Sequence, residues 1–451
     1  MAGLSNAIVQ ALWHDNTFGL EIEQHRINGQ ARLSRHPYPS EFGSRKTHPY
    51  LQSDFTDTMM ELVTEPAHST KQVLENMRVV QQVLYDHLKP DESIWPFSMP
   101  PRLVEDDLQF AHENFTRDWY QDYRDHLEEK YGIYHEIICG THINFSLNPQ
   151  LIETLFSESD SKDHIDFVNH LYFKMGQWFV LYRWLFTYLY GATPLSENKY
   201  ERIPSGLSVP VRSLRNSSLG YSNKQTELVT YDSLEKQVQQ IENYVAQQIF
   251  YTQHEFYGPV RLKGEDDLRS LINSGVQYLE FRSFDLNPLT EVGVDQTLLD
   301  FMELFLTFAA VNDLPQSIEN RLQDAIQKNE EVALQAPDQQ PEWLTEASNQ
   351  LLKQLQKFIN DTNADEHYQQ VLNTIEQRIQ DVTKTIGAQV AVNIQNQSLI
   401  KFGQTIAQER KAWYLPNAGL SFLANRYDDQ QRKDLYRDII AGKQVKITGA
   451  D

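Results

Sequence analysis

Only one cysteine, Cys139, occurs in 451 residues. No internal disulfide can form, which suits a reducing cytoplasm. Long apolar runs are missing as well. The most hydrophobic stretch, residues 178–190 (WFVLYRWLFTYLY), is too short to span a bilayer and carries Arg183 near its centre, so it reads as a buried helix. The opening, MAGLSNAIVQALWHDN, lacks the basic flank and apolar core of a signal peptide. Basic residues are scarce: 40 Lys and Arg stand against 62 Asp and Glu, a formal net charge of −22. That deficit argues against nucleic acid or an anionic membrane as main partner, because both need a positive footprint. It also requires that any anionic substrate be met by Arg, Lys or metal ions gathered locally. The usual phosphate and metal signatures are absent too: no G-x-x-x-x-G-K-[ST], no G-x-G-x-x-G after a strand, no H-E-x-x-H and no cysteine pair.

What is present is a chain 40% hydrophobic and 11% aromatic, enough for a substantial globular core. No composition break or internal repeat divides it, so residues 1–451 are expected to form one catalytic unit, with a core over about 15–310 and a mostly helical part over about 311–451. Residues 18–27 (FGLEIEQHRI) alternate as a strand with one packed face: Phe18, Leu20 and Ile22 lie on one side, Glu21 and Glu23 on the other. Period two sets those carboxylates roughly 7 Å apart, where they repel unless something positive sits between them. A solvated sheet face would tolerate the pair equally well. Further strands are expected in the second half of 53–66, over 135–147 and over 276–284. Helices are expected over 70–88, 108–130, 165–190 and 232–250, with a long irregular Ser- and Asn-rich segment over 195–230. Beyond 296 the spacing of Leu344, Ala347, Leu351, Leu355 and Phe358, then Val371, Ile375, Ile379, Val382 and Ile386, predicts an antiparallel helical hairpin turning at 361–366.

The candidate strands share a habit. In CGTHINFSL, Ile143, Phe145 and Leu147 take one side and His142, Asn144 and Ser146 the other; in VQYLEFRSF, Glu280 and Arg282 oppose Leu279 and Phe281; Glu61 lies between Met60 and Leu62, with Asp54 upstream. Singly each is unremarkable, since a lone strand histidine is usually a satisfied core residue and E-x-R a simple ion pair. Together Glu21, Glu23, Asp54, Glu61, Glu280 and one imidazole, His142, suit a hard cation such as Mg²⁺ or Mn²⁺, the usual platform for a nucleotide's phosphates.

The segments FGLEIE, SDFTDTMMELVTEP, WPFSMP, CGTHINFSL, SLRNSSLGYSN, FYGPVR and GVQYLEFRSFDLNP-x₄-GVD keep chain order over roughly 15–310. In them the sequence resembles the glutamate–cysteine ligase (γ-glutamylcysteine synthetase) family, in its bacterial branch. The resemblance implies an α+β, glutamine-synthetase-like fold, with an antiparallel sheet curved into a funnel and helices outside. It implies ligation of L-glutamate to L-cysteine with ATP, through a γ-glutamyl phosphate, as the first step of glutathione synthesis. The family's metal ligands fall on Glu21, Glu23, Asp54, Glu61, His142 and Glu280. Arg282, with Asn144 beside it, is then expected to hold the transferring phosphoryl group, and Arg215 a substrate carboxylate. The family surrounds its acceptor cysteine at positions matching Phe55, Tyr123, Arg124, Leu127, Tyr221 and Tyr257; for Phe55 and Leu127 plain core packing is nearly as good a reading. Tyr221 is expected on a lid. Cys139, opposite in parity to His142, is expected to be a buried small hydrophobe. The sequence stops without the second ATP-dependent domain of bifunctional relatives; if the chain is complete, its expected product is the dipeptide. Two other readings stay open: the same scaffold joining glutamate to another small amine, and a non-catalytic ligand-sensing or interaction protein.

Overall fold

The computed structural model describes residues 4–113, 121–199, 202–265 and 267–447. Seven strands form one antiparallel sheet: β1 (Thr17–Asn28), β2 (Leu51–Ser53), β3 (Met59–Val63), β4 (Glu92–Ile94), β5 (Thr141–Ser146), β6 (Val260–Lys263) and β7 (Tyr278–Phe284). Neighbours run β2–β3–β1–β5–β7–β6, and β4 pairs with the end of β1. The alternation read from the sequence decides the two faces. Phe18, Leu20, Ile22, Met60, Leu62, Ile143, Phe145, Leu279 and Phe281 are all fully buried on one side, each contributing about 1.5–3 kcal/mol by leaving water.

Helices cover that side. Thr70–His87 starts where Ser69 accepts from the Gln72 amide, and His164–Tyr190 where Asp163 accepts from that of Asp166. The second contains the apolar 178–190 stretch and is buried, as expected: Phe179 meets Phe281 at 4.7 Å and Phe284 at 6.0 Å. Gln296–Val311 packs behind both helices. Within it Glu303 is a buried acid, hydrogen-bonded to Tyr368 and reached by Asn16 Nδ2 at 3.5 Å.

The C-terminal hairpin forms as its spacing predicts, from Glu342–Thr362 and Glu366–Gln380, reversing at Asn363 in the left-handed region. Its inner row packs on the main core through Phe358, which lies 5.6 Å from Phe308 and 5.4 Å from Trp13. Most buried apolar side chains form one contiguous cluster reaching from Ile8 to Ile447, beside two small ones around Ile138 and Tyr257. Among the described residues no helix is long and apolar enough to cross a membrane.

Some expectations need correction. The helix expected over 108–130 is helical where it is described, over Glu105–Glu113 and Gln121–Tyr131; residues 114–120 lie outside the described residues. Only the end of 135–147 is strand, because Gly132, at φ +85°, turns the chain into the single helical turn Ile133–Glu136. The 232–250 helix is shorter, Leu234–Ala246. Strands β2, β4 and β6 were not anticipated.

The irregular 195–230 segment, of which 200 and 201 are outside the described residues, is tied to the scaffold. Asp285 accepts from Ala192 N (2.6 Å), Thr193 Oγ1 (2.9 Å), Ser213 Oγ (2.8 Å) and Asn216 Nδ2 (3.1 Å). Glu330 accepts from Ser218 N and Oγ. These bonds set Arg215 and Tyr221 against the sheet.

Candidate active site

The register of the sheet brings the polar residues face to face. Glu23 pairs with Glu61 across β1–β3, Glu21 with His142 across β1–β5, and Asn144 with Glu280 across β5–β7. Asn144 Nδ2 donates to Glu21 Oε1 at 2.8 Å, and His142 Nδ1 lies 3.1 Å from Glu21 Oε2. His142 Nδ1 is 3.7 Å from Glu280 Oε1, and His142 Nε2 is 3.8 Å from Glu23 Oε1. One ligand atom from each of Glu21, His142 and Glu280 lies within 4.8 Å of the other two. Glu23, Asp54 and Glu61 line the same cavity, of about 250 Å³, so all the residues singled out as metal ligands converge.

Burial and mutual charge set their protonation. Burial, then the charge of Asp54, raises the Glu23 carboxyl to about 8. Burial would raise Glu280 as well, but Arg282 at 2.7 Å, Lys263 at 3.6 Å and the charge of Arg261 outweigh it and hold that carboxyl far below its usual range. At Glu21 burial is likewise outweighed, chiefly by the hydrogen bond with His142 and the bond from Asn144. Burial, then Arg282, lowers His142 and keeps its imidazole neutral. Buried His142 Nε2, Asn144 Oδ1 and Glu280 Oε2 have no hydrogen-bond partner among the described residues, a costly condition unless something else satisfies them. Among the described lining residues, Glu21, Glu23, Asp54, Glu61 and Glu280 bring carboxyl groups to the sheet side and Glu136 one to the tyrosine wall; the permanent cations are Arg124, Arg261, Lys263 and Arg282, and Arg215 acts on Glu23 from outside the lining. An oxygen-rich set with one neutral imidazole fits a hard divalent cation.

Arg282 is the hub of the positive side. Its Nη1 donates to Glu280 Oε1 at 2.7 Å and its Nη2 to the Tyr221 hydroxyl at 3.2 Å. Arg215 and Asn144 stand just outside the lining. Arg215 Nη1 donates to the Arg282 carbonyl at 3.0 Å, while buried Nε and Nη2 have no hydrogen-bond partner among the described residues. Its guanidinium fits only because residue 140 is glycine: a Cβ there would overlap it.

Phe55, Tyr123, Arg124, Leu127, Tyr221 and Tyr257 all line this cavity. Arg124 lies over the Phe55 ring at 4.4 Å, and Tyr221 packs on Tyr257 at 4.7 Å. Phe55 and Leu127 are also 6% and 5% exposed, so they are wall and core at once. Cys139 is buried, and burial with the charges of Glu23 and Asp54 pushes its thiol well up, which leaves it inert.

Sequence reasoning missed four lining residues: Glu136, His254, Arg261 and Lys263. Two of them are placed by strand pairing, Arg261 opposite Glu280 and Lys263 opposite Tyr278, on a strand of four residues. Glu136, on a single helical turn, and His254 carry no periodic signal.

Residues 1–332 match the model of a family described as glutamate–cysteine ligase. The glutathione biosynthesis bifunctional protein of Streptococcus agalactiae serotype V is 37% identical over 405 residues, 89% of this chain and 53% of that one. The protein of that name from Pasteurella multocida is 32% identical over 406 residues, 89% of this chain and 53% of that one. Among solved structures, a bifunctional glutathione synthetase from Pasteurella multocida superposes with a TM-score of 0.89 at 28% identity, over 98% of this chain and 58% of that one. A glutamate–cysteine ligase from Francisella tularensis in complex with AMP gives a TM-score of 0.80 at 21% identity, over 96% of each chain. The chain spans about half the length of the curated relatives it matches.

Proposed function

The chain belongs to the glutamate–cysteine ligase family, and we propose that it joins the γ-carboxylate of L-glutamate to the amine of L-cysteine, converting ATP to ADP and phosphate. The observation that carries this reading is the convergence of Glu21, Glu23, Asp54, Glu61, His142, Glu280 and Arg282 on one cavity walled by tyrosines. A carboxylate is a poor electrophile, so ATP first converts it to the γ-glutamyl phosphate. The acidic residues and His142 would hold Mg²⁺ or Mn²⁺, which neutralises charge on the phosphate oxygens. Arg282, fixed by Glu280 and Tyr221, orients the transferring phosphoryl group, with Asn144 steadying Glu21 beside it. Arg215, with two buried guanidinium nitrogens to satisfy, takes a substrate carboxylate. Phe55, Tyr123, Arg124, Leu127, Tyr221 and Tyr257 enclose the cysteine, their apolar faces against its side chain and their polar tips toward its carboxylate. Tyr221 sits on the part of 195–230 that closes over the acceptor.

In this reading the antiparallel sheet is curved into a funnel with the cavity at its mouth, and residues 15–310 with the helical remainder form one catalytic unit. The contiguous apolar cluster supports that unity. A cytoplasmic setting accords with the single, buried thiol. The test is ADP release by the purified chain with Mg²⁺, ATP, glutamate and a panel of small amines. Glutamate-dependent turnover with cysteine highest in kcat/KM is expected. Another amine ahead of cysteine would transfer the acceptor assignment to that amine, and absence of glutamate-dependent ADP would overturn the ligase reading.

A further inference from the structure

The carboxylates of the cavity divide into two groups. Glu21, Glu23, Asp54, Glu61 and Glu280 belong to the sheet or to the turn after β2. Glu136 comes instead from the helical turn Ile133–Glu136 and joins the tyrosine wall. Its Oε2 accepts from the Tyr257 hydroxyl at 3.2 Å, and its Oε1 lies 2.6 Å from His135 Nδ1. His135, fully buried, is stacked between Tyr131 (4.9 Å, 18°) and Tyr221 (5.4 Å, 17°), with its Nε2 3.2 Å from the Ser222 carbonyl and 3.3 Å from the Ser222 amide. Burial, reinforced by the charge of Glu136, keeps the Tyr257 hydroxyl protonated and therefore a donor. The carboxyl group is thus oriented by the Tyr257 hydroxyl and the His135 ring and set among π faces.

A negative oxygen within a group of aromatic rings is the chemistry that recognises a primary ammonium. Tyr221 joins this corner to the phosphoryl end, because its hydroxyl accepts from Arg282 Nη2 while its ring stacks on His135. Resting on the ligase reading above, we infer that Glu136 binds the α-ammonium of the acceptor amino acid and accepts the proton it must lose before attack. The freed amine forms the C–N bond to the acyl carbon of the γ-glutamyl phosphate, and the bond from that carbon to the phosphate oxygen breaks with its electron pair leaving on phosphate. The adduct nitrogen gives up its second proton to the departing phosphate, and Glu136 returns its own to water when product leaves. Among the described residues Glu136 bonds to His135 and Tyr257, and its charge acts on Tyr221. The Glu227 and Glu255 carboxylates on the far side of His135 are taken up by the Tyr131 hydroxyl.

The test compares the wild type with Glu136→Gln and Glu136→Asp in three measurements: glutamate-dependent ADP formation without acceptor, γ-glutamylcysteine formation, and γ-glutamyl hydroxamate formation with hydroxylamine. Hydroxylamine is unprotonated at neutral pH and needs no proton acceptor to become a nucleophile. Glu136→Gln is expected to keep acceptor-free ADP formation and hydroxamate formation within about threefold, and to lose about a hundredfold or more in transfer to cysteine, the range of general base catalysis. Glu136→Asp should recover part of that loss. Equal falls with cysteine and hydroxylamine would overturn the inference, since Glu136 would then only shape the pocket. Cysteine transfer within threefold of wild type would overturn it as well. A wild type that forms neither product nor glutamate-dependent ADP would instead remove the ligase reading itself.

Discussion

Glu303 tests whether the energetics of the core follow from its structure. It lies within the buried helix Gln296–Val311, where burial raises its carboxyl from 4.5 to about 7. Below 4.5 the folded and unfolded chains both hold the proton, and stability is insensitive to this group. Between 4.5 and 7 the folded chain keeps a proton that the unfolded chain has released, so stability falls as pH rises. Above 7 the loss is complete and amounts to about 3 kcal/mol, at about 1.36 kcal/mol per pH unit. Glu303→Gln retains the shape and the contacts to Asn16 and Tyr368 but removes the titration. Unfolding free energies of both proteins from urea titrations at pH 5, 6, 7 and 8 give the comparison. Between the two ends the difference should move by about 2–3 kcal/mol in favour of the variant. A difference constant to within about 0.5 kcal/mol, or one moving toward the wild type, would show that Glu303 is not held protonated by its surroundings.

Replacing Glu21 or Glu280 by Gln should lower ADP turnover by about two to three orders of magnitude with an unchanged circular dichroism spectrum; near-normal kcat would take that residue out of the cation set. Mg²⁺ at about a hundred times its dissociation constant should stabilise the wild type by about 2.7 kcal/mol, and thermal unfolding should show this stabilisation lost in either variant. Tyr221→Ala should mainly raise the KM for cysteine, and an unchanged value would separate Tyr221 from the acceptor. Gly140→Ala should push the Arg215 guanidinium aside, raising the KM for glutamate and costing about 1–3 kcal/mol of stability. Kinetics at wild-type values would mean that Arg215 has no part in binding substrate.

Much of the site was legible because one period serves two purposes. Alternation that buries Leu20 and Ile22 necessarily turns Glu21 and Glu23 the other way, and the same holds for His142 between Thr141 and Ile143 and for Glu280 between Leu279 and Phe281. Strands β2, β4 and β6, of three or four residues each, are too short to show a period. They are strands because a longer neighbour supplies the hydrogen bonds, so their cationic residues, Arg261 and Lys263, went unread. Glu136 was hidden for a different reason. A single turn bounded by Gly132 has no face to predict, and its place beside Tyr257 is fixed by contacts 121 residues apart in sequence.

Strand β1 hydrogen-bonds to β3, β4 and β5 while carrying both Glu21 and Glu23. A slip of one residue would drive both acids into the helical layer and Leu20 and Ile22 into the cavity. The acidic end proposed to hold the ion is therefore inherited with the backbone pairing and cannot drift without unmaking the sheet. Tyr123, Arg124, Leu127, Tyr221 and Tyr257 hang from a helix and loops outside that pairing. Under the proposed function, acceptor preference can be rewritten there, by selection or by an engineer, on an unaltered phosphate-activating chassis.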